Sequence, residues 1–234
     1  MRLRDFLINP SGDIFRKYLK VGLPALMSDG LLSLGNTAMS MIIGRMGTAV
    51  SASFSVCQVV DRLVTVILNG ISNASGIIVG NTIGAGKKEE AQAQGETFYL
   101  LALVFGAICA FIIWLIGPWS LRLYDLEADT VVIATQMMRA FILIVFFQAI
   151  QSVMTKGVLR GGGDTKFLLV ADILFLWIAS IPLGYLFGLV WKFPAWLTIW
   201  ALRVDFVIKS VWCIGRLMSG KWIHEVSGRR NSNA

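Results

Sequence analysis

Two carboxylates, Asp29 and Asp61, have the most chemical capacity in this sequence, because each stands inside a long apolar stretch. A charged side chain at the centre of a membrane helix costs roughly 2.5 to 3.5 kcal/mol on insertion scales, so one that is present has a partner or a use. A carboxylate held in a partly dry cavity loads and releases a proton, or coordinates a cation, with no other chemistry at hand. Asp29 has no basic residue within helical reach and is the expected ion-coupling residue. Asp61 has Arg62 beside it and is expected to line a cleft. The other ionisable residues in apolar sequence read as structural. Asp205 and Lys209 stand four apart, with Arg203 near the same turn, which is the spacing of an internal ion pair. Asp172 is expected to pair with Lys166 or Arg160, and Arg139 to snorkel toward the membrane surface.

Enzyme chemistry finds little support. Gly161-Gly162-Gly163-Asp164 and Tyr124-Asp125 resemble, briefly, the signature of intramembrane aspartyl proteases. That reaction needs two carboxylates close enough to share a proton, and the topology below sets Asp125 and Asp164 on opposite sides of a hydrocarbon layer about 30 Å thick. Residues 80–88, GNTIGAGKK, lack the spacing and the Ser/Thr of a phosphate-binding loop, and no serine elbow is present. The three cysteines, Cys57, Cys109 and Cys213, lie in three different apolar stretches and read as packing residues. The single histidine, His224, has no second ligand nearby, so neither a metal nor an enzyme cofactor is expected.

The elements that position these residues are membrane helices. Of 234 residues 56% are hydrophobic and 15% charged, with mean hydropathy +0.71; a soluble domain carries about 25% charged residues. Stretches near 21–44, 50–80, 98–117, 131–155, 167–191 and 195–218 each meet the need for about 20 helical residues across the hydrocarbon. They are continuous rather than alternating, which excludes a β-barrel. The expected fold is all-α, a polytopic six-helix transmembrane bundle. Residues 1–20 form a basic amphipathic connector and residues 219–234 a basic tail. Lys and Arg concentrate on the side holding both termini and the loops at Lys87 and Gly162, which makes that side cytoplasmic by the positive-inside rule. The net charge of +7 follows from this topology, so no nucleic-acid partner is implied. The expected surroundings are membrane lipid and a bacterial inner (plasma) membrane.

The first two spans carry polar faces. At 100° per residue Gly22, Ala25, Asp29, Ser33, Asn36 and Ser40 share one face of the first. In the second, Gln58, Asp61, Thr65, Asn69, Ser72 and Gly76 follow steps of three and four, while Val60, Leu63, Val64, Ile67, Ile71 and Ile78 take the opposite side. Ser33, Asn36, Gln58, Asp61, Thr65 and Asn69 are therefore expected to line a cleft, since unsatisfied polar groups do not face lipid. Close helix packing through small and hydroxyl residues is the alternative use of such a face.

Several motifs carry a family resemblance: Gly22-Leu23-Pro24, Gly44-Arg45-Met46-Gly47-Thr48, Gly80-Asn81-Thr82-Ile83-Gly84-Ala85-Gly86, Gly157-Val158-Leu159-Arg160-Gly161-Gly162-Gly163-Asp164-Thr165-Lys166 and Ser219-Gly220-Lys221-Trp222-Ile223. In this order and spacing the chain resembles the C-terminal half of a bacterial MATE (multidrug and toxic compound extrusion) transporter. The resemblance implies a cation-coupled antiporter, driven by H+ or Na+, exporting small organic and often cationic compounds. It also implies two six-helix lobes around a central cleft. This chain then supplies one lobe and needs the missing N-terminal lobe or a second copy as partner. Asp29 matches the acidic position in the first helix of that lobe, where many relatives have Glu. The carboxylate that many relatives carry in the fourth helix is replaced here by Gln148-Ala149-Ile150-Gln151. Arg160 and Asp164 match a cytoplasmic turn and are expected to fix loop and helix ends. A lipid or lipid-linked flippase of the same superfamily, and an inactive remnant, are the competing expectations.

Overall fold

The computed structural model describes residues 12–124 and 126–223, with side chains from residue 22 onward. The residue 1–20 connector side chains, Asp125 and most of the basic tail, His224 included, lie outside the described residues. Within them the chain is helical throughout, with no strand. Helix α1 runs Gly12–Arg45, α2 Thr48–Gly84, α3 Lys88–Arg122, α4 Ala128–Leu159 and α5 Thr165–Val190. The last crossing is broken into α6, Ala195–Leu202, and α7, Val204–Met218.

Four of these, α2 to α5, are long and apolar enough to cross a membrane among the described residues. The other two expected spans are helical as well: α1 carries the polar face that lowers its hydropathy, and the sixth is interrupted at Arg203. The helices overrun the apolar stretches at their polar ends. The clearest case is α3, which starts at Lys88, ten residues before Phe98, with Glu89 and Glu90 in its first turn. Acidic residues there meet the positive end of the helix dipole, which lets the helix extend past the apolar sequence.

Helix α4 is the hub and packs on α2, α3, α6 and α7, while α1 leans mainly on α5. Two apolar clusters fill the interior, one around Phe54, Cys57, Leu68, Met137, Phe141 and Leu202, the other around Val79, Met154, Leu159, Cys213 and Trp222. All three cysteines are buried and free. Trp222 lies beyond α7 yet is fully buried, donating its indole N–H to Gln92 Oε1 at 2.8 Å. Packing therefore continues past Met218 into the first residues of the expected tail.

Glycine sets the closest approach in the bundle. A Cβ at Gly157 would lie 2.0 Å from Ser75 Oγ and 2.8 Å from the Ser72 carbonyl oxygen, and one at Gly161 would lie 2.6 Å from the Gly76 carbonyl oxygen. Helices α2 and α4 touch backbone to backbone at this point, the small-residue contact by which membrane helices gain packing without a hydrophobic driving force. The contact seats the end of α4, and with it Arg160. The last turn before Arg160, Val153–Leu159, is widened to i→i+5 hydrogen bonding, as is Asp172–Ser180 in α5. Such turns gather at functional sites.

Candidate ion-coupling site

Helix α1 buries Ser28, Met39, Ile42 and Ile43 and leaves Asp29, Ser33, Asn36 and Ser40 on its open face. The hydroxyls of Ser33 and Ser40 bond back to the carbonyls of Asp29 and Asn36, at 3.0 Å each. Their polar atoms are satisfied within the helix, and the carboxylate of Asp29 is left as the reactive group of the face. Its partner comes from far along the chain. Arg160 donates Nη2 to Asp29 Oδ1 at 2.8 Å and Nη1 to Oδ2 at 3.2 Å, a bidentate fork. The Asp29 side chain is 52% exposed and that of Arg160 31%. Arg160 Nε is buried and has no hydrogen-bond partner.

Arg160 lies at the expected turn, where its carbonyl oxygen accepts from the Gly163 N–H at 3.0 Å, and its guanidinium reaches across to α1. In the same turn Gly163 sits at φ 81°, and Asp164 is bonded by Arg216 Nε at 2.7 Å. A bidentate, half-exposed pair between residues 131 apart in sequence is a latch between α1 and the end of α4. The fork occupies one acceptor site on each oxygen of the Asp29 carboxylate.

The second polar stripe splits. In α2, Gln58, Asp61, Thr65 and Asn69 are half-buried, whereas Ser72 is buried and its hydroxyl meets Ser152 at 3.2 Å. The apolar residues expected on the opposite side divide too: Val60 and Val64 enter the core, while Leu63, Ile67 and Ile78 are exposed. The stripe thus lies on the border between core and open face. Gln148 of α4 donates Nε2 to Thr65 Oγ1 at 3.0 Å, one turn beyond Asp61 on α2. Arg203, at the α6–α7 break, and Arg62 supply the favourable charges acting on Asp61, whose buried Oδ1 has no hydrogen-bond partner. Arg203 also lies over the Phe206 ring, 5.1 Å from its centroid.

A third cluster escaped sequence reasoning. Asp172 pairs with neither Lys166 nor Arg160: Lys209 Nζ holds its Oδ1 at 2.8 Å, and Ser28 donates to its Oδ2. The i,i+4 pair of Lys209 with Asp205 is present at 3.2 Å, so one fully buried ammonium serves two carboxylates. The spacing of Asp205 and Lys209 disclosed half of this triplet. The other half spans 37 positions and two helices, which no local pattern encodes. No group of three or more His, Cys, Asp or Glu residues could hold a metal among the described residues.

A family model described as MatE matches residues 24–186. The chain belongs to the MatE family. It is 26% identical over 196 residues to a probable multidrug resistance protein NorM of Idiomarina loihiensis, covering 83% of this chain and 42% of that protein. A probable NorM of Thermotoga maritima is 26% identical over 224 residues, covering 94% and 47%. The multidrug resistance protein MdtK of Photorhabdus laumondii is 28% identical over 181 residues, covering 77% and 39%. Among solved structures, an outward-facing multidrug resistance MATE family transporter of the MOP superfamily superposes with TM-score 0.79 at 18% identity, covering 93% of this chain and 48% of that one. A MOP superfamily transporter from Pyrococcus furiosus matches with TM-score 0.79 at 18% identity, covering 92% and 48%. The fold is that of a multi-pass membrane helical bundle, and the chain spans less than half the length of these relatives.

Proposed function

We propose that this MatE chain acts as the C-terminal lobe of a multidrug exporter in a bacterial inner membrane, exchanging small organic cations for H+ or Na+. Both termini face the cytoplasm in this reading, and the polar faces of α1 and α2 form one wall of a cleft completed by an N-terminal lobe. Asp29 is the coupling residue, with Ser33, Asn36, Gln58, Asp61, Thr65 and Asn69 along the wall.

The observation that carries the reading is the Asp29–Arg160 fork on an otherwise uncovered polar face. With the fork closed, Arg160 neutralises Asp29 and the site is empty of ion. With the fork open, a proton or Na+ takes the place of the guanidinium, and α1 is released from the end of α4. Coupling requires that the ion bind one arrangement better than the other. An exposed ion pair worth at most about 1 kcal/mol meets that need without trapping either state.

The test is dye export from vesicles holding this chain together with its complementary lobe, driven by an imposed H+ or Na+ gradient. Asp29→Asn removes the exchange and abolishes ion-driven export while leaving membrane insertion intact. Undiminished export by Asp29→Asn removes that residue from the mechanism. Gradient-driven export by this chain alone replaces the two-lobe account with a homodimer.

A further inference from the structure

The Asp172–Lys209–Asp205 triplet has an odd charge. Two carboxylates and one ammonium sum to −1, in an interior where Lys209, Asp205 and Asp172 have relative exposures of 0%, 1% and 5%. Buried ion clusters rarely gain stability over apolar packing, because desolvation offsets the attraction, and an unbalanced charge adds to that penalty. We propose that the triplet is a proton-binding site: one proton, shared between Asp172 and Asp205 about Lys209, neutralises the cluster and weakens the grip of α5 on α1.

Besides Lys209, the partners bonded to the two carboxylates among the described residues are the neutral hydroxyls of Ser28 and Ser180, and Arg203 stands two residues before Asp205 in the sequence. The charges acting on Lys209 are those of Asp205 and Asp172. Nearby Asp164 is taken by Arg216, and Asp29, the neighbour of Ser28 on α1, is taken by Arg160. Cys213, one turn beyond Lys209, feels Lys209, Asp172 and Asp164 and carries a buried thiol. On the other side Ser180 donates to Asp205 Oδ1 at 3.3 Å and accepts from the Asp205 backbone N–H at 2.9 Å.

Helix α1 is tied to α5 through this cluster. Ser28 donates its hydroxyl proton to Asp172 Oδ2, Trp177 Nε1 donates to the Leu31 carbonyl oxygen at 3.2 Å, and Gly35 admits the Leu176 side chain. When a proton from water adds to Asp172, its carboxyl becomes a donor. Lys209 keeps Asp205 as its sole anion, and the Ser28 hydroxyl then faces a neutral carboxyl in place of a carboxylate. Binding the proton thus exchanges an ion-anchored hydrogen bond for a neutral one at the residue next to the Asp29–Arg160 fork. The proposal goes beyond the exporter reading and depends on it only for the use made of the proton, so its test needs no transport.

The test is infrared difference spectroscopy of this chain in lipid bilayers on acidification, in an Asp29→Asn background so that the fork contributes nothing. A carboxylic-acid C=O band is expected in the parent-minus-variant difference for both Asp172→Asn and Asp205→Asn, where the bands of Asp61 and the other carboxyls cancel, and each variant leaves a balanced pair with Lys209. Lys209→Met is expected to show the band already at neutral pH. Hydrogen exchange of α1 amides around Ser28, corrected for intrinsic rate, should rise on acidification and become independent of pH in Asp172→Asn. A band that persists in both Asn variants, or its absence from the parent, overturns the proposal. Failure of both Asn variants to fold overturns it as well, because neutralising one carboxylate is what the proton does. A purely structural triplet predicts weakened α1 in Asp172→Asn with pH dependence unchanged.

Discussion

Gly157→Ala tests whether α2 and α4 meet as closely as the site requires. The added methyl would stand 2.0 Å from Ser75 Oγ, 2.8 Å from the Ser72 carbonyl oxygen and 3.3 Å from Ser75 Cβ. The serine hydroxyl can rotate away, but the backbone oxygen cannot, so the helices must separate. Overpacking of this kind costs about 1 to 3 kcal/mol, and contact with fixed backbone puts Gly157 at the upper end. Replacing a helical glycine by alanine returns about 1 kcal/mol of conformational entropy. The net loss is about 2 kcal/mol, roughly a 30-fold shift in the folding equilibrium. Gly70, with nothing within 4 Å, is the matched control, and Gly70→Ala should stabilise the chain by about 0.5 to 1 kcal/mol. Reversible unfolding in mixed micelles, followed by circular dichroism, measures both. Ser75→Ala in the Gly157→Ala background should restore part of the loss and not all of it, since the Ser72 oxygen remains. Arg160, three residues on, would be displaced along with the end of α4, so Gly157→Ala should also weaken ion-driven export. A Gly157→Ala chain as stable as the parent, measured alongside a stabilised Gly70→Ala, would refute close contact between these helices.

Two further outcomes bear on the packing. Trp222→Ala empties a fully buried site against Gly95 and Gly162 and should cost about 3 to 5 kcal/mol in the same unfolding assay, far more than a solvated tail residue would. Cys57, Cys109 and Cys213 are buried and should resist maleimide labelling in bilayers until the chain is unfolded; rapid labelling of any of them would show its helix misplaced.

What the sequence made legible was local. Continuous apolar runs disclosed α2 to α5 because hydrocarbon thickness imposes a length, and the polar stripe of α1 was readable from helical periodicity alone. The i,i+4 spacing of Asp205 and Lys209 disclosed their pair for the same reason. The relations that give the site its chemistry were not legible. Asp29 lacks a basic residue on its own helix, yet Arg160 finds it from 131 positions away, because glycines at 157 and 161 let α4 close on α2 and aim the next turn at α1. Asp172 looked closest to Lys166 and Arg160 along the chain, but it lies in a widened turn of α5 where the third dimension offers Lys209. The break at Arg203 was hidden as well, since Leu202 and Val204 continue the apolar run while Arg203 leaves it to lie over the Phe206 ring.

The central claim is that Asp29 gives up Arg160 for a coupling ion. Infrared difference spectra of this chain in bilayers, parent minus Asp29→Asn, isolate the vibrations of that one carboxylate during titration with H+ and, separately, with Na+. The account predicts that the Asp29 signal shifts on addition of at least one of the two ions, and at lower ion concentration in an Arg160→Gln background, where the competing guanidinium is gone. An Asp29 signal unmoved by pH and by Na+, with Arg160 present and with it removed, would contradict the account.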